Sequence, residues 1–450
     1  MDKNRIARSP ATAPPLLATL PNGLRVVAIP MPWRATVSLS VFIRTGSLHE
    51  TPARLNGISH VVEHMAFKGT ATRDCQRINL DAERLGAEVN AHTDKDHTAF
   101  HIEGLPQDLP AFVEMLADLV LNPSFPAEEL ERERGVIEQE FSEYDEDPVS
   151  QAFQLFDRAC FGTLHPAGRP IIGTRANIKR FAREELLDYV QRQYTACNVV
   201  VAVAGPLGAA EFDTGFVPRV AAAFGAMPPG TPNLIEPPAW LGGMKTRRMA
   251  GSGQCQLVLG YAAPALAADD AHLPHVLAAA LLGEGMSSPL LDEIRERRGL
   301  AYHAGCAADI LPHSGQFVID AATAPEQAVE LLEAVHALLR QLAEAPALDA
   351  TALERARRQL TMRALRALEQ PARRMENAAL DLFSFGHLRE PQAWLDRLQA
   401  VSAAEVRAVF ARMHQGGGAD GGQPAALALA GSVPAKVRER AAALFVDAAA

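Results

Sequence analysis

His60, Glu63 and His64 stand within five positions, in the stretch GISHVVEHMAFKGT (57–70). On a helix, residues four apart share a face, and the residue three along lies beside them. Both imidazoles can then turn a ring nitrogen toward one zinc ion, with the Glu63 carboxylate next to the metal without being needed as a ligand. Two neutral imidazoles leave zinc short of donors; a catalytic zinc takes a third protein ligand and keeps a position for water. The chemistry of such a set is hydrolysis, in which the metal polarises a carbonyl and the free carboxylate moves the proton of the attacking water.

The third donor should be a carboxylate on another element facing this helix. The stretch EELERERGVIEQEFSEYDEDP (128–148) reads as an acidic amphipathic helix. Glu133 and Glu140 lie seven residues apart, two turns along one face, with Val136 and Ile137 between them on the side expected to be buried. Glu131, Glu138 and Glu143 compete for the same role, and most of these acids should form a solvated face. Spacing alone does not choose among them.

The elements that would position these groups follow from periodicity. LRVVAIP (24–30) and ATVSLSVFIRTG (35–46) run apolar or alternate with β-branched residues, as strands do. QDLPAFVEMLADLVLN (107–122) and PEQAVELLEAVHALLRQLA (325–343) carry apolar residues at helical spacing. These helices follow similar strands when Phe100 is laid on Phe317, so the two halves read as divergent repeats of one α+β unit. The overlay sets His60, Glu63 and His64 opposite Leu277, Ala280 and Leu281. A helix in this place can be built from plain hydrophobes, so packing does not require the polar trio.

MPPGTPNLIEPPAW (227–240) is too rich in proline to continue a helix or central strand and reads as a linker. It divides the chain into 1–226 and 241–450. At 450 residues, with 48% hydrophobic and 21% charged residues, the composition is that of a globular protein with a sizeable core. A formal charge of −10 argues against nucleic acid or an anionic membrane as partner. The five cysteines are dispersed and form no CxxC pair, which suggests neither a disulfide framework nor a cysteine zinc site. The N-terminal stretch has no apolar h-region and no run reaches membrane-spanning length, so a cytoplasmic location is the expectation. HQGGGADGGQPA (414–425) reads as a flexible loop and AAALFVDAAA (441–450) as a frayed end.

HxxEH is the inverzincin pattern. The sequence resembles the M16 metallopeptidases, in particular their short-subunit branch typified by the mitochondrial processing peptidase β subunit and bacterial relatives. The resemblance covers nearly the whole chain, through LPNGLRVV, GISHVVEHMAFKGT, LGAEVNAHTDKDHTAF, ERERGVIEQE, HPAGRPIIGT, NVVVAVAGPL and GMSSPLLDEIRERRGLAY. It implies two homologous α/β-sandwich domains, each a mixed, mainly antiparallel sheet with helices packed on it, joined by the Pro-rich linker. It implies zinc ligands His60, His64 and Glu140, one Zn²⁺ per chain, with Glu63 as catalytic base and Glu133 as the auxiliary acid. Asn90 and Ala91 match the edge strand that takes up peptide substrate. Arg295 and Tyr302 match the pair that holds the substrate backbone; taken alone, they read as a surface salt-bridge residue and a half-buried strand residue. Pro289 departs from the pattern, since relatives often have Arg there.

The resemblance further implies a clamshell dimer of two chains, with Arg295 and Tyr302 of one reaching toward the zinc of the other. With both motifs on one chain a homodimer is the simpler expectation, and a heterodimer with a zinc-free M16-like subunit is the alternative. The resulting expectation is a zinc-dependent endopeptidase of short or unfolded peptides. Its competitors are a subunit dedicated to one precursor peptide and a non-enzymatic assembly protein of the same family. The complete set of His60, Glu63, His64 and Glu140 argues against the last.

Overall fold

The computed structural model describes residues 13–268, 270–415 and 424–446. The start of the N-terminal stretch, the centre of the Gly-rich segment and the last four residues lie outside them. The chain forms two compact units, and neither is continuous in sequence. One runs to Ile137 and adds Ile171–Leu234 and Arg366–Leu388; the other comprises Glu138–Pro170, Ile235–Leu365 and the chain from Arg389 onward. Residues 227–240 belong to no helix or strand.

The first unit is built on a six-stranded sheet. Its strands are β1 (Leu16–Thr19), β2 (Arg25–Pro30), β3 (Val37–Ile43), β4 (Glu88–Thr93), β5 (Thr98–Gly104) and β6 (Val199–Gly205). They lie in the order β1-β2-β6-β3-β5-β4, with β2 and β6 parallel and the other pairs antiparallel. The β-branched runs VSLSVFI and VVVAVAG are buried along their whole length, as central strands covered on both faces must be. β4 closes the sheet at one edge, with Ala91 opposite Phe100 and Asn90 opposite His101.

The second unit carries a five-stranded sheet of β7 (Gly243–Arg248), β8 (Cys255–Ala263), β9 (Ala301–Ile310), β10 (Gly315–Thr323) and β11 (Ala426–Gly431). Its order, β7-β11-β8-β10-β9, with β7 and β11 parallel and the rest antiparallel, repeats that of β2-β6-β3-β5-β4. Phe100 and Phe317 are each the third residue of equivalent strands and are fully buried. The halves therefore share a topology as well as a pattern.

The first helices of the chain are α1 (Ile58–Ala66), α2 (Cys75–Arg84), α3 (Leu109–Leu121), α4 (Ala127–Glu146) and α5 (Pro148–Phe161); α1 carries the polar trio and packs against β4. α1 and the helix Leu273–Gly283 occupy equivalent places between strands. In the latter, Leu277, Ala280 and Leu281 are all buried, as plain packing residues. Each unit also takes a helix from the opposite half of the sequence. α5 packs on β7, β8 and β11. Pro371–Phe385 packs on the first sheet, setting Met375, Ala379 and Leu382 against Val27, Phe42 and Val200.

Two expectations need correction. Val136 is 52% exposed although Ile137 beside it is fully buried, because one residue step turns a helix by about 100° and carries Val136 off the buried face. The segment 441–445 is not frayed: it ends the helix Ala435–Phe445, with Ala441 and Phe445 buried in the second unit's core.

Backbone geometry fixes where α1 begins. Gly57, its N-cap, has φ +96°, and a Cβ there would lie 2.8 Å from Gly173 Cα and 2.9 Å from the Ile172 carbonyl oxygen. Both the left-handed conformation and the backbone contact exclude a side chain. Gly57→Ala should destabilise the fold by about 2–4 kcal/mol in guanidinium denaturation. Gly23→Ala, at φ +93° but with open space around it, should cost only about 1 kcal/mol.

Candidate metal centre

α1 is anchored by a carboxylate. Glu50 is fully buried and accepts hydrogen bonds from the backbone N–H groups of Gly57 (2.7 Å) and Ser59 (3.0 Å) and from Asn56 Nδ2 (3.0 Å). The first N–H groups of a helix lack intrahelical partners and carry partial positive charge, so a carboxylate there satisfies both. Burial nevertheless pushes the Glu50 carboxyl up to about 7 against these donors. The Ser59 hydroxyl bonds Tyr189 Oη at 2.8 Å, which bonds Thr45 Oγ1 at 2.9 Å. Ser59 is thus held in a buried hydroxyl chain and is no nucleophile.

One turn further along α1, the Nε2 atoms of His60 and His64 lie 3.2 Å apart. Burial, then the neighbouring His64, lower the His60 imidazole to about 3, so it stays neutral and offers a lone pair. Nδ1 of His64 lies 2.8 Å from Glu133 Oε1, and Lys68 Nζ holds Glu133 Oε2 at 2.6 Å. With Nδ1 donating to Glu133, Nε2 of His64 is left as the acceptor nitrogen. Burial alone would raise the Glu133 carboxyl, but the bonds from His64 and Lys68 hold it below its ordinary range.

Glu133 and Glu140 ride on α4, two turns apart. Glu140 lies on the same continuous helix as Glu133. The ligand atoms of His60, His64 and Glu140 all lie within 4.8 Å of one another. Glu131 and Glu143 are exposed and Glu138 half-buried. Two imidazoles and one carboxylate fit a zinc ion and leave room for water.

Glu63 is half-buried beside them. Burial raises its carboxyl above the ordinary range, with Thr93 and His64 opposing. That places α1 against β4, on which Asn90 and Ala91 sit side by side, Ala91 buried and Asn90 exposed. β4 hydrogen-bonds β5 on one side only, so among the described residues its outer edge is unpaired.

In the second unit, Arg295 and Tyr302 meet. The guanidinium lies over the Tyr302 ring at 4.7 Å, a cation–π contact. Arg295 sits in a short π-helical turn, Asp292–Arg297, and its Nη1 also reaches Met286 Sδ at 3.6 Å. Tyr302 is 83% exposed on the edge strand β9. It is no half-buried strand residue, because its ring turns outward and stacks on Arg295.

Sequence reasoning missed Glu50 and Lys68, and it missed the contact of Thr93, on the predicted peptide-binding edge, with Glu63. Lys68 lies in the same stretch (57–70), four residues past His64 and just beyond the end of α1, and that spacing was a usable signal. Glu50 had none, since the loop between it and α1 has no regular period.

This donor set, with a carboxylate on the far nitrogen of one histidine and Glu63 beside the donors rather than among them, is of the kind found in zinc hydrolase sites. Similarity to known proteins gives the group a name. Residues 25–175 match the Insulinase (Peptidase family M16) model, and residues 180–360 match that of the Peptidase M16 inactive domain. A protein of Mycobacterium tuberculosis named as an uncharacterized zinc protease is 33% identical over 89% of this chain and 92% of its own length. The zinc protease YmxG of Bacillus subtilis, named in the same way, is 30% identical over 86% and 93%. The chain belongs to the M16 peptidase family. Two solved structures share its fold. One, described as a peptidase M16 inactive domain from Pseudomonas fluorescens, has TM-score 0.81 at 21% identity, covering 94% of this chain and 99% of its own. The other, a protease from Helicobacter pylori, has the same score and identity over 92% and 99%.

Two outcomes are expected. Glu133→Gln should weaken zinc binding by about 10–100-fold, read by competition with a chromogenic chelator. The second concerns Glu50, whose folded-state value of about 7 lies above the ordinary 4.5. Between these values the native state keeps a proton that the unfolded chain has released, so this group's contribution to stability falls as pH rises through that window. Urea denaturation of wild type and Glu50→Gln should therefore shift in favour of Gln from about pH 5 to about pH 8, by on the order of 3 kcal/mol.

Proposed function

We propose that the chain is a zinc-dependent endopeptidase that cuts short or unfolded peptides held in extended form. The observation that carries this reading is the convergence of His60, His64 and Glu140 donor atoms, with Glu63 beside them and not among them. A zinc ion held by those three residues would supply Lewis-acid polarisation of the scissile carbonyl and a more acidic water.

The chain's own residues do the rest. Glu63, its carboxyl raised by burial, takes a proton from the attacking water as the new C–O bond forms. It hands that proton to the amide nitrogen as the C–N bond breaks, so the carboxylate is regenerated. Glu133 fixes the His64 ring through Nδ1, and Lys68 keeps Glu133 ionised. The outer edge of β4, at Asn90 and Ala91, supports a reading in which the peptide adds as a further strand. Main-chain pairing of this kind tolerates many side chains.

Arg295 and Tyr302 suit a second grip on the peptide backbone, the guanidinium offering donors to carbonyl groups. The resemblance of the sequence to the M16 family supports a homodimer in which this pair serves the site of the other chain. Among the described residues no helix is long and apolar enough to cross a membrane, and no disulfide links the cysteines; a reducing, cytoplasmic setting is part of the same proposal.

The test is mass spectrometry of a mixed peptide library incubated with the purified chain, beside Glu63→Gln. Cleavage should fall by about 100-fold or more in the variant while its zinc content is unchanged. Failure of zinc-loaded wild type to cut any peptide would overturn self-sufficiency and point to a partner subunit or one dedicated precursor.

A further inference from the structure

A second cluster of metal-ligating side chains lies in the first unit, away from α1. His92 stands on β4, His97 closes the turn into β5, and Glu376 projects from the helix Pro371–Phe385. One ligand atom from each lies within 4.8 Å of the other two. We propose that His92, His97 and Glu376 form a second site for a borderline divalent cation, Zn²⁺ in particular, which fastens the β4–β5 hairpin to this helix.

Four observations support it. His97 is 1% exposed, yet its Nε2 has no hydrogen-bond partner. Leaving a buried ring nitrogen unsatisfied is costly, and such atoms call for an explanation. Its other nitrogen, Nδ1, lies 2.7 Å from Asp96 Oδ1. That is the carboxylate–histidine arrangement which fixes the tautomer and points a lone pair at a metal. Nε2 is 3.9 Å from Glu376 Oε1, while Arg373 engages the other oxygen, Oε2, at 3.0 Å. Two donors of one tetrahedral zinc lie roughly 3.4 Å apart, so a shift of about half an ångström brings this pair to ligand spacing, with His92 as third donor and water left to complete the shell. Finally, the His92 ring meets that of His97 at 5.5 Å, and His92 is exposed, which gives an ion a way in from solvent.

The site bears on β4 from the face opposite the one used by Glu63. Successive residues of a strand point to opposite sides. Thr93 lies against Glu63, and His92, its neighbour in sequence, turns the other way. An ion at the second site would stiffen the strand without touching the residues on α1. The inference does not depend on what the α1 site catalyses.

Metal-stripped full-length chain, titrated with Zn²⁺ and separately with Co²⁺, tests this by equilibrium dialysis with elemental analysis and by visible absorption of the cobalt form. His60→Asn/His64→Asn should still take up one equivalent per chain, and adding His92→Asn should abolish that uptake. Asp96→Asn, which keeps all three ligands, should weaken it about 10–100-fold. His97→Gln should also abolish it, with circular dichroism reporting whether this buried substitution folds; the exposed His92→Asn decides the matter if it does not. No uptake by His60→Asn/His64→Asn, or uptake indifferent to His92→Asn and Glu376→Gln, would overturn the proposal.

Discussion

The geometry of α1 hangs on one buried carboxylate. Glu50 accepts the N–H groups of Gly57 and Ser59 and the amide of Asn56 in a setting closed to water. Those bonds set the first turn of a nine-residue helix whose remaining length is too short to orient itself by propensity. Gly57 adds a backbone contact that admits no side chain. The positions of His60, Glu63 and His64 follow, because a rigid helix transmits the placement of its first turn to the next two.

Burial then does most of the electrostatic tuning. It keeps the His60 imidazole neutral, the state in which an imidazole can ligate a metal, and it raises the Glu63 carboxyl above its ordinary range. Glu133 shows the opposite balance: the same desolvation is outweighed by two cationic or polar donors, and the group stays ionised against His64. Two glutamates near one candidate metal centre thus shift in opposite directions because they differ in partners.

The repeated topology sharpens this. Both sheets share one strand order, and each places a helix between equivalent strands. In the second unit that helix has Leu, Ala and Leu where the first has His, Glu and His, and all three are buried in that unit's core. The scaffold alone does not make the site; the chemistry sits in a few side chains exchanged on a common frame. The edge strands β4 and β9 occupy equivalent positions in the two sheets, and each carries residues singled out for substrate: Asn90 and Ala91 on one, Tyr302 on the other.

The sequence by itself determined what depends on neighbours along the chain. The i,i+4 histidines with Glu63 between them, the acidic helix, the strand runs, the Pro-rich divide and the repeat on Phe100 and Phe317 are all local patterns, and regular backbone periods make them legible. Spacing left Glu131, Glu133, Glu138, Glu140 and Glu143 as equals; only folding showed Glu133 on His64 Nδ1 and a Glu140 oxygen within 4.8 Å of the His60 and His64 ring nitrogens. Tertiary structure alone decided that α5 and Pro371–Phe385 would each join the unit formed mainly by the other half, and that Glu376 would come to rest near His97. Contacts between residues far apart in sequence depend on which apolar faces bury each other, and no local period records that choice.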